Sequence, residues 1–224
     1  RADQALESAW NHLVREDEGL ALLFEPPFNT SDPSPGYIKG YPPGVRENGG
    51  QYTHASLWMA MAMARKGDGD RAVRLLRMLN PIEHARDAEG VWQYGVEPYV
   101  VAADVYRLPG RIGRGGWSWH TGSSAWTYRA WVEEVLGLQV RNGLMRLNPV
   151  MPASWEGFSL RYRHGETIYA IQVENPNGFE SGVSWVEMDG RRVTGGAITL
   201  ERGLVKHRIR VRMGNPEQVA EIEG

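Results

Sequence analysis

Residues 41–65 read YPPGVRENGGQYTHASLWMAMAMAR, and this stretch decides the fold class. From Ala55 to Ala64 nearly every side chain is small or apolar, so the helix offers no polar face to solvent. A helix of that composition is buried among other helices. The residues before Gln51 are rich in Pro and Gly, which is typical of a loop. The stretch therefore predicts a helical domain in which a long loop leads into a buried helix.

Other segments extend this helical pattern. Apolar residues recur at helical spacing from Ala5 to Val14, and the run from Asp70 is stopped by Asn80-Pro81. We predict further helices over about 97–106 and 123–136, with long Pro- and Gly-rich loops at 25–50 and 109–116. Long loops that alternate with short breaks predict part of an (α/α)6 toroid of paired helices. About five helices cannot close a toroid, and the chain begins within a helix without Met, so we expect a fragment of a larger enzyme.

The apolar period changes to two in the last third of the chain. Four segments alternate apolar and polar residues between turn signals, and they cover residues 158–163, 167–173, 183–188 and 204–211. This pattern predicts antiparallel strands of a β-sandwich. The expected class is therefore α+β, with the incomplete helical part at residues 1–140 and the β-sandwich at 141–224.

Composition excludes several classes of protein. The 224 residues carry a formal net charge of −2, which argues against a nucleic-acid or anionic-membrane partner. The absence of Cys excludes disulfides and suits a reducing compartment. No segment approaches the roughly 20 continuous apolar residues of a membrane span. We expect a soluble, cytoplasmic chain, although a longer parent could be associated with the inner membrane.

The chain contains nine Trp and nine Tyr residues. Flat rings stack on the apolar faces of sugars, while their NH and OH groups bond hydroxyls. We assign most of these rings to the core on general burial tendencies and the remainder to a binding site.

The candidate site with the highest concentration of polar side chains is the loop from Tyr41 to His54. It places Tyr, Arg, Glu, Asn, Gln and His side chains around glycines, directly before the apolar helix. Glycines allow a ligand to approach the backbone closely, and N–H groups at a helix start favour an anion. A well-bonded capped loop is the alternative. The variety of polar groups favours a functional loop.

Two further motifs are candidates. Residues 115–124 read GGWSWHTGSS, so hydroxyls and N–H groups from Thr121 to Ser124 open a helix. A phosphate seat and an ordinary cap fit these residues equally well. Glu97-Pro98-Tyr99 is weaker, because Glu in a first helical turn usually just favours the helix dipole. No spacing typical of metal ligands, nucleophilic serine or a phosphate-binding P-loop occurs in the sequence.

Taken together, these motifs resemble glycoside hydrolase family 94, the inverting glycoside phosphorylases. This family includes cellobiose and chitobiose phosphorylases and the C-terminal region of cyclic β-1,2-glucan synthases. The motifs resemble those of the glucan synthases more than those of cellobiose phosphorylase. The resemblance runs from about residue 35 to 176, in family order, through YPPGVRENGGQYTHA, GDGDRA, NPIEH, EPYVVAADVY, GGWSWHTGSSAWTYR, LGL and ENPNG.

The resemblance implies a reaction and separate roles for the phosphate-binding and sugar-binding residues. Phosphate attacks the anomeric carbon, and one Asp protonates the leaving oxygen, so a single carboxylate suffices. The motif match places His54, Thr121 and the Gly122 backbone on phosphate. It places Tyr41, Arg46 and Glu47 around the acceptor sugar, although Lys is familiar at the position of Arg46 in cellobiose phosphorylase. Glu97 and Tyr99 are placed near the site only.

The resemblance also implies what the chain lacks. The general acid of the family lies N-terminal to the matching region, so we expect no catalytic residue here and an inactive fragment. Inorganic phosphate is the co-substrate, and no other cofactor or metal is expected. Expected partners are a β-glucan or β-linked disaccharide, the N-terminal remainder of the parent, and a second copy in a homodimer.

Two other functions remain open at this point. A hydrolase on the same helical toroid could use Glu47 or Glu97 as acid or base, and it would not require phosphate. A carbohydrate-binding module could use the aromatic rings for stacking, and its affinity for sugar would not depend on phosphate or on His54. A shared fold alone does not choose among these functions.

Overall fold

The computed structural model describes residues 1–215 and shows a chain of mixed α+β class. The helices are α1 (Ala2–Leu13), α2 (Thr53–Arg65), α3 (Gly69–Met78), α4 (Pro81–His84), α5 (Ala88–Tyr94) and α6 (Thr121–Arg129). The strands are β1 (Val14–Arg15), β2 (Leu20–Ala21), β3 (Gln51–Tyr52), β4 (Asp104–Val105), β5 (Leu138–Arg141), β6 (Leu144–Leu147), β7 (Gly157–His164), β8 (Thr167–Glu174), β9 (Val183–Met188), β10 (Arg191–Arg192), β11 (Ile198–Thr199) and β12 (Lys206–Met213).

Four of the five helices predicted from the sequence are present, and the fifth is not. Helices α1, α2, α3 and α6 lie where the sequence analysis placed them, and α6 continues into a π-helical turn at Ala130–Val135. The segment predicted as a helix over 97–106 is not helical: it forms a turn at 98–99 and then runs through β4 without helical structure. A short apolar run such as Val100–Val105 fits a buried strand as well as a buried helix, and here backbone pairing on both sides decides.

The chain divides into two compact units. Among the described residues, the first comprises 1–62 and 74–130, and the second comprises 63–73 and 131–215. The domain boundary near residue 140 and the assignment of the helices to an incomplete (α/α)6 toroid stay predictions.

The first unit is organised around the extended segment 101–106. On one side, β4 pairs antiparallel with β3, and the Thr53 N–H donates to the Ala103 carbonyl at 2.9 Å. On the other side, the Ala103 N–H donates to the Trp117 carbonyl at 2.7 Å, and the His120 N–H donates to the Val101 carbonyl at 3.1 Å. The start of α2 and the approach to α6 are therefore held to opposite edges of one segment.

A small core supports this segment. The buried side chains come from β2 and its neighbours, from α5, and from the segment itself; they are Leu20, Leu22, Tyr94, Ala102 and Val105. The residue that follows α5, Gly95, has a φ of 63° and ends the helix in the left-handed conformation. The core thus fixes both the segment and the helix that precedes it.

The second unit contains two sheets. The larger has the strand order β10-β9-β12-β8-β7, and the smaller has the order β11-β6-β5. Residues of both sheets share one hydrophobic cluster that includes Met145, Ile198, Tyr169, Val211 and Met213. Alternating burial along β8 and β12 confirms the apolar period of two that the sequence shows.

One feature of the larger sheet contradicts the sequence prediction. The pairing of β12 with β8 is parallel, from Lys206↔Ile168 to Arg212↔Glu174, whereas all strands were predicted to be antiparallel. Residue alternation reports only which face a side chain occupies and carries no information about strand direction. A connection of more than thirty residues separates the two strands, so no short hairpin forces an antiparallel pair.

The eighteen Trp and Tyr residues, all within residues 1–215, differ widely in exposure. Tyr94 and Tyr169 are fully buried, nine are half-buried and seven are exposed, so the majority lose at least part of their surface to packing. The exposed rings of the first unit are Tyr37, Trp58, Trp92, Tyr99, Trp117, Trp119 and Tyr128. Within residues 1–215, no helix has the length and apolar character that would let it cross a membrane.

Replacing Gly137 by Ala should destabilise the second unit much more than replacing Gly143 by Ala. Both glycines have a positive φ, 67° and 73°, which costs a side chain about 1–2 kcal/mol. An added Cβ at Gly137 would also overlap the backbone of Asn148, whereas Gly143 has open space around it. Overpacking adds about 1–3 kcal/mol. Denaturant unfolding of both variants measures the difference, and equal losses would contradict the steric argument.

Candidate active site

His54 lies in an aromatic cluster at the start of α2. Its ring centroid is 4.8 Å from that of Trp58, 5.9 Å from that of Trp126 and 6.5 Å from that of His120. The His54 Nε2 atom is buried and has no hydrogen-bond partner among residues 1–215. An orphaned buried polar atom is unusual in a folded protein and requires an explanation.

His120 is the N-cap of α6. The Ser123 N–H donates to its Nδ1 at 3.2 Å, which satisfies one of the N–H groups at the start of the helix. Thr121 and Gly122 are the first residues of the helix, and both are exposed. N–H groups in a first helical turn lack partners within the helix and favour an anion. His54 therefore lies beside a helix start that can receive a phosphate.

Two effects lower the pKa of His54 below its usual value. The larger is burial, which disfavours the imidazolium, and the smaller is repulsion from His120. His54 is therefore neutral at pH 7. An anion bound between the two rings would oppose both effects and raise the pKa of His54.

A second group of predicted residues lies on the loop before α2. The Arg46 guanidinium lies 5.5 Å from the centroid of the Tyr41 ring and 5.4 Å from that of the Trp117 ring. Its Nε is 3.7 Å from Glu47 Oε2, which is too long for a hydrogen bond, and both atoms are buried without a partner in the described part of the chain. Stacked rings beside a carboxylate and a guanidinium suit a sugar.

Asn48 gives this loop its shape. Its side-chain amide donates to the carbonyls of Phe28 and Tyr41, at 2.9 and 2.8 Å, and its Oδ1 accepts the Phe28 N–H at 2.7 Å. The side chain is fully buried and replaces backbone pairing that the loop cannot make itself. Arg46, two residues earlier, adopts a φ of 48°, which is uncommon for a residue with a side chain.

The third group contains Glu97 and Tyr99. The Trp119 indole N–H donates to Glu97 Oε1 at 3.1 Å, and the Tyr99 ring packs edge-on against the Trp119 ring at 6.2 Å. Hydrogen bonds from the Glu97 N–H, from Trp119 and from Ser118 hold the pKa of Glu97 below its usual value. Glu97 is therefore ionised at neutral pH and can accept hydrogen bonds, but it cannot supply a proton.

One short segment links the three groups. Trp117 stacks on Arg46, Trp119 binds Glu97, and His120 faces His54. Sequence reasoning named the motif that contains these residues but gave them no role. A usable signal was available for His120, because it directly precedes the predicted phosphate residue Thr121.

Asp104 also lies at the site, and nothing in the sequence indicated that it would. It lies on β4, in the segment first predicted to be helical, and its side chain is fully buried. Burial, the largest effect, raises the pKa of this carboxyl, whereas the N–H of Trp117 and the charge of Arg46 lower it. Only the tertiary fold brings Asp104 next to the loop that carries Arg46.

Replacing His120 by Asn should raise the pKa of His54 towards its usual value. Asn is as good an N-cap as any residue, so α6 stays intact, while the repulsion from a second imidazole disappears. A pH titration of the His54 ring signals by NMR measures the change. Because burial remains, the shift should be partial. A His54 pKa that does not move would show that the two rings are not coupled.

Comparison with known proteins places the chain in a family. A family model described as the glycosyl hydrolase 94 superfamily, catalytic domain, matches residues 1–137. The cyclic beta-(1,2)-glucan synthase NdvB of Rhizobium meliloti (strain 1021) is 46% identical over 173 residues, which are 77% of this chain and 6% of that protein.

Two phosphorylases are also similar. The N,N'-diacetylchitobiose phosphorylase of Vibrio furnissii is 31% identical over 198 residues, 86% of this chain and 24% of that protein. The solabiose phosphorylase of Paenibacillus borealis is 27% identical over 215 residues, 95% of this chain and 27% of that protein. The chain thus spans about a quarter or less of the length of these relatives. On the family match, this chain belongs to the glycosyl hydrolase 94 superfamily, whose catalytic domain accounts for residues 1–137.

Proposed function

We propose that this chain supplies the phosphate site and part of the sugar site of an inverting glycoside phosphorylase. In the reaction, a phosphate oxygen attacks the anomeric carbon on the face opposite the leaving sugar. The glycosidic C–O bond breaks, and a general acid gives its proton to the leaving oxygen. For a β-glucan, the products are glucose 1-phosphate and a shortened glucan. The proposal assigns no general acid among the residues described above, so the chain alone does not turn over.

The proximity of His54 to the start of α6 carries the proposal. The two ring centroids, of His54 and of the cap His120, are 6.5 Å apart. A phosphate at this place would receive hydrogen bonds from the Gly122 N–H, from the Thr121 hydroxyl and from His54, whose Nε2 has no partner among residues 1–215. Hydrogen bonds from helix N–H groups and an imidazole can offset its charge, so inorganic phosphate acts as co-substrate without a further cofactor.

The sugar side of the proposal rests on the loop before α2. Tyr41 and Trp117 present ring faces, and Glu47 presents a carboxylate whose Oε2 lies 3.7 Å from Arg46 Nε, too far for a hydrogen bond. Sugars bind through ring stacking and through hydroxyls that donate to carboxylates. We place the acceptor sugar on Tyr41, Arg46 and Glu47. Glu97 and Tyr99 lie at the edge of this site.

Similar proteins support the choice of substrates. One relative is a cyclic β-1,2-glucan synthase and two are disaccharide phosphorylases, so we propose a β-linked glucan or disaccharide as the second substrate. We further propose that the helices belong to an (α/α)6 toroid and that the two sheets of the second unit form a β-sandwich around their shared cluster.

Replacing His54 by Ala in an enzyme that contains this chain should raise the KM for phosphate and change the KM for the glucan much less. One lost charge-assisted hydrogen bond is worth about 1.5–3 kcal/mol, or roughly 10- to 150-fold in phosphate-dependent efficiency. Steady-state kinetics with each substrate varied in turn measure the effect. The exposed His12 on α1 provides the matched control, since His12→Ala should change neither KM.

Glu47→Gln should show the opposite signature. An amide of similar shape replaces the carboxylate that accepts sugar hydroxyls, so the KM for the glucan should rise more than that for phosphate. Equal damage to both KM values in both variants would contradict this division of labour. Release of free glucose at the same rate without phosphate would instead identify a hydrolase.

A further inference from the structure

Three large aromatic side chains lie exposed beside the proposed acceptor site. Tyr99, Trp117 and Trp119 leave 74%, 66% and 62% of their surface open to solvent. Two of these rings are in contact, because Tyr99 packs edge-on against Trp119 at 6.2 Å and an angle of 78°. Contiguous apolar surface that stays exposed in a folded chain marks a binding surface. The acceptor site uses only the ring of Trp117, so the pair of Tyr99 and Trp119 requires an explanation.

The backbone of Trp119 adopts a conformation that is rare for a bulky residue. Its φ is 60°, which lies in the left-handed region. On one side, the Ala103 N–H donates to the Trp117 carbonyl at 2.7 Å, and on the other, the His120 N–H donates to the Val101 carbonyl at 3.1 Å. Unfavourable backbone conformations persist where the surroundings impose them, and they concentrate at ligand-binding sites. The fold therefore holds Trp119 in its exposed position at a cost in backbone energy.

Glu97 fixes the orientation of the Trp119 ring. The indole N–H donates to Glu97 Oε1 at 3.1 Å, and the Tyr99 ring packs against the indole as well. The Trp119 ring is thus held by a hydrogen bond and by a ring contact before any ligand binds. A ligand that binds to an already immobilised side chain loses less conformational entropy. The side chains of Glu97, Tyr99 and Trp119, called the outer subsite below, therefore form a preorganised surface.

The Glu97 carboxylate can accept a further hydrogen bond from a ligand. Hydrogen bonds from its own N–H, from Trp119 and from Ser118 hold its pKa below the usual value, so it is ionised at neutral pH. An ionised carboxylate has about four acceptor sites, so these bonds leave capacity for a hydroxyl. An exposed ring beside such an acceptor suits a sugar, whose apolar face stacks while its hydroxyls donate. An apolar protein segment fits less well, because it would bury the charge without a partner.

The outer subsite continues the acceptor site along the chain. The Trp117 ring centroid lies 5.4 Å from the Arg46 guanidinium, and Trp119 follows two residues later. Cα atoms two residues apart are separated by at most about 7 Å. A sugar linked to the one in the acceptor site extends over a similar distance, which brings it within reach of Trp119. This proximity favours the next sugar of the same glucan as the occupant of the outer subsite.

We infer that Glu97, Tyr99 and Trp119 form a subsite for the sugar residue that follows the acceptor sugar in a β-linked glucan. This inference rests on the proposed function, because it takes the acceptor sugar to lie on the loop before α2. A disaccharide fills only the acceptor position and the position of the sugar that reacts with phosphate. A trisaccharide also reaches the outer subsite. The enzyme therefore prefers longer glucans to disaccharides.

The test compares a β-1,2-linked glucose disaccharide with the corresponding trisaccharide, in an enzyme that contains this chain and with inorganic phosphate. The ratio of kcat/KM for the trisaccharide to kcat/KM for the disaccharide should exceed one in the wild type. Tyr99→Ala should lower this ratio roughly 2- to 10-fold, the range expected for one lost ring contact, and leave the disaccharide value and the KM for phosphate unchanged. Tyr128→Ala removes a ring on α6 that is 67% exposed and should not change the ratio.

A second variant separates sugar binding from a merely structural role. Trp119→Gly removes the other ring and suits the local backbone, because glycine adopts a φ of 60° readily. It should lower the ratio at least as much as Tyr99→Ala. Equal losses for disaccharide and trisaccharide in both variants would show a structural role and contradict the inference. An unchanged ratio in Tyr99→Ala would overturn the inference even if Trp119→Gly fails to fold.

Binding without phosphate distinguishes this inference from the proposed function. Isothermal titration calorimetry with each sugar gives the ratio of the disaccharide Kd to the trisaccharide Kd, which should exceed one in the wild type and fall in Tyr99→Ala. If the wild type shows this pattern but does not require phosphate for cleavage, the proposed function is wrong and the outer subsite stands. If the wild type releases glucose 1-phosphate from both sugars with the same kcat/KM, the outer subsite is wrong and the function stands.

Discussion

The candidate site depends on one constraint, the pairing of the extended segment 101–106 along both of its edges. The segment binds the residues before α2 through Thr53 and the residues before α6 through Trp117 and His120. Small buried side chains at Ala102 and Ala103 allow both neighbours to approach closely. A backbone group that lost its partner here would be buried and unsatisfied, at a cost of about 1–3 kcal/mol. The segment therefore fixes the separation of His54 and His120.

The same region accumulates polar atoms that folding left without partners. Within residues 1–215, these include Arg46 Nε, Glu47 Oε2, His54 Nε2 and Asp104 Oδ2. Native structures pair nearly all buried polar groups, and exceptions concentrate where a ligand completes the arrangement. A phosphate beside His54 and a sugar beside Glu47 would use two of these atoms directly.

The sequence predicted local structure better than it predicted contacts. An apolar period of 3.6 located α1, a long run of small and apolar residues located α2, and a stop signal at Asn80-Pro81 marked the end of α3. The sequence patterns gave a wrong prediction at residues 97–106, where a short apolar run fits a helix and a strand equally well. They also gave a wrong strand direction for β12, because residue alternation does not depend on strand direction. The resemblance named a family that the comparison confirms, together with residues that the fold brings into three neighbouring groups.

What the sequence could not show arises from distant pairing. Asp104 is fifty-eight positions from Arg46, and a single Asp in an apolar run indicates neither burial nor a charged neighbour. The sequence shows that His120 directly precedes Thr121, but its role as the N-cap of α6 depends on the orientation of its ring. Such properties belong to the tertiary fold and become visible only when elements are placed together.

The central claim is that His54 and the start of α6 form one anion site. Titration of inorganic phosphate into the isotopically labelled protein, at constant ionic strength, tests it most directly. The account predicts that the ring signals of His54 and the amide signal of Gly122 shift together and yield one dissociation constant. Saturation of one signal without the other, or two different constants, would contradict a shared phosphate site.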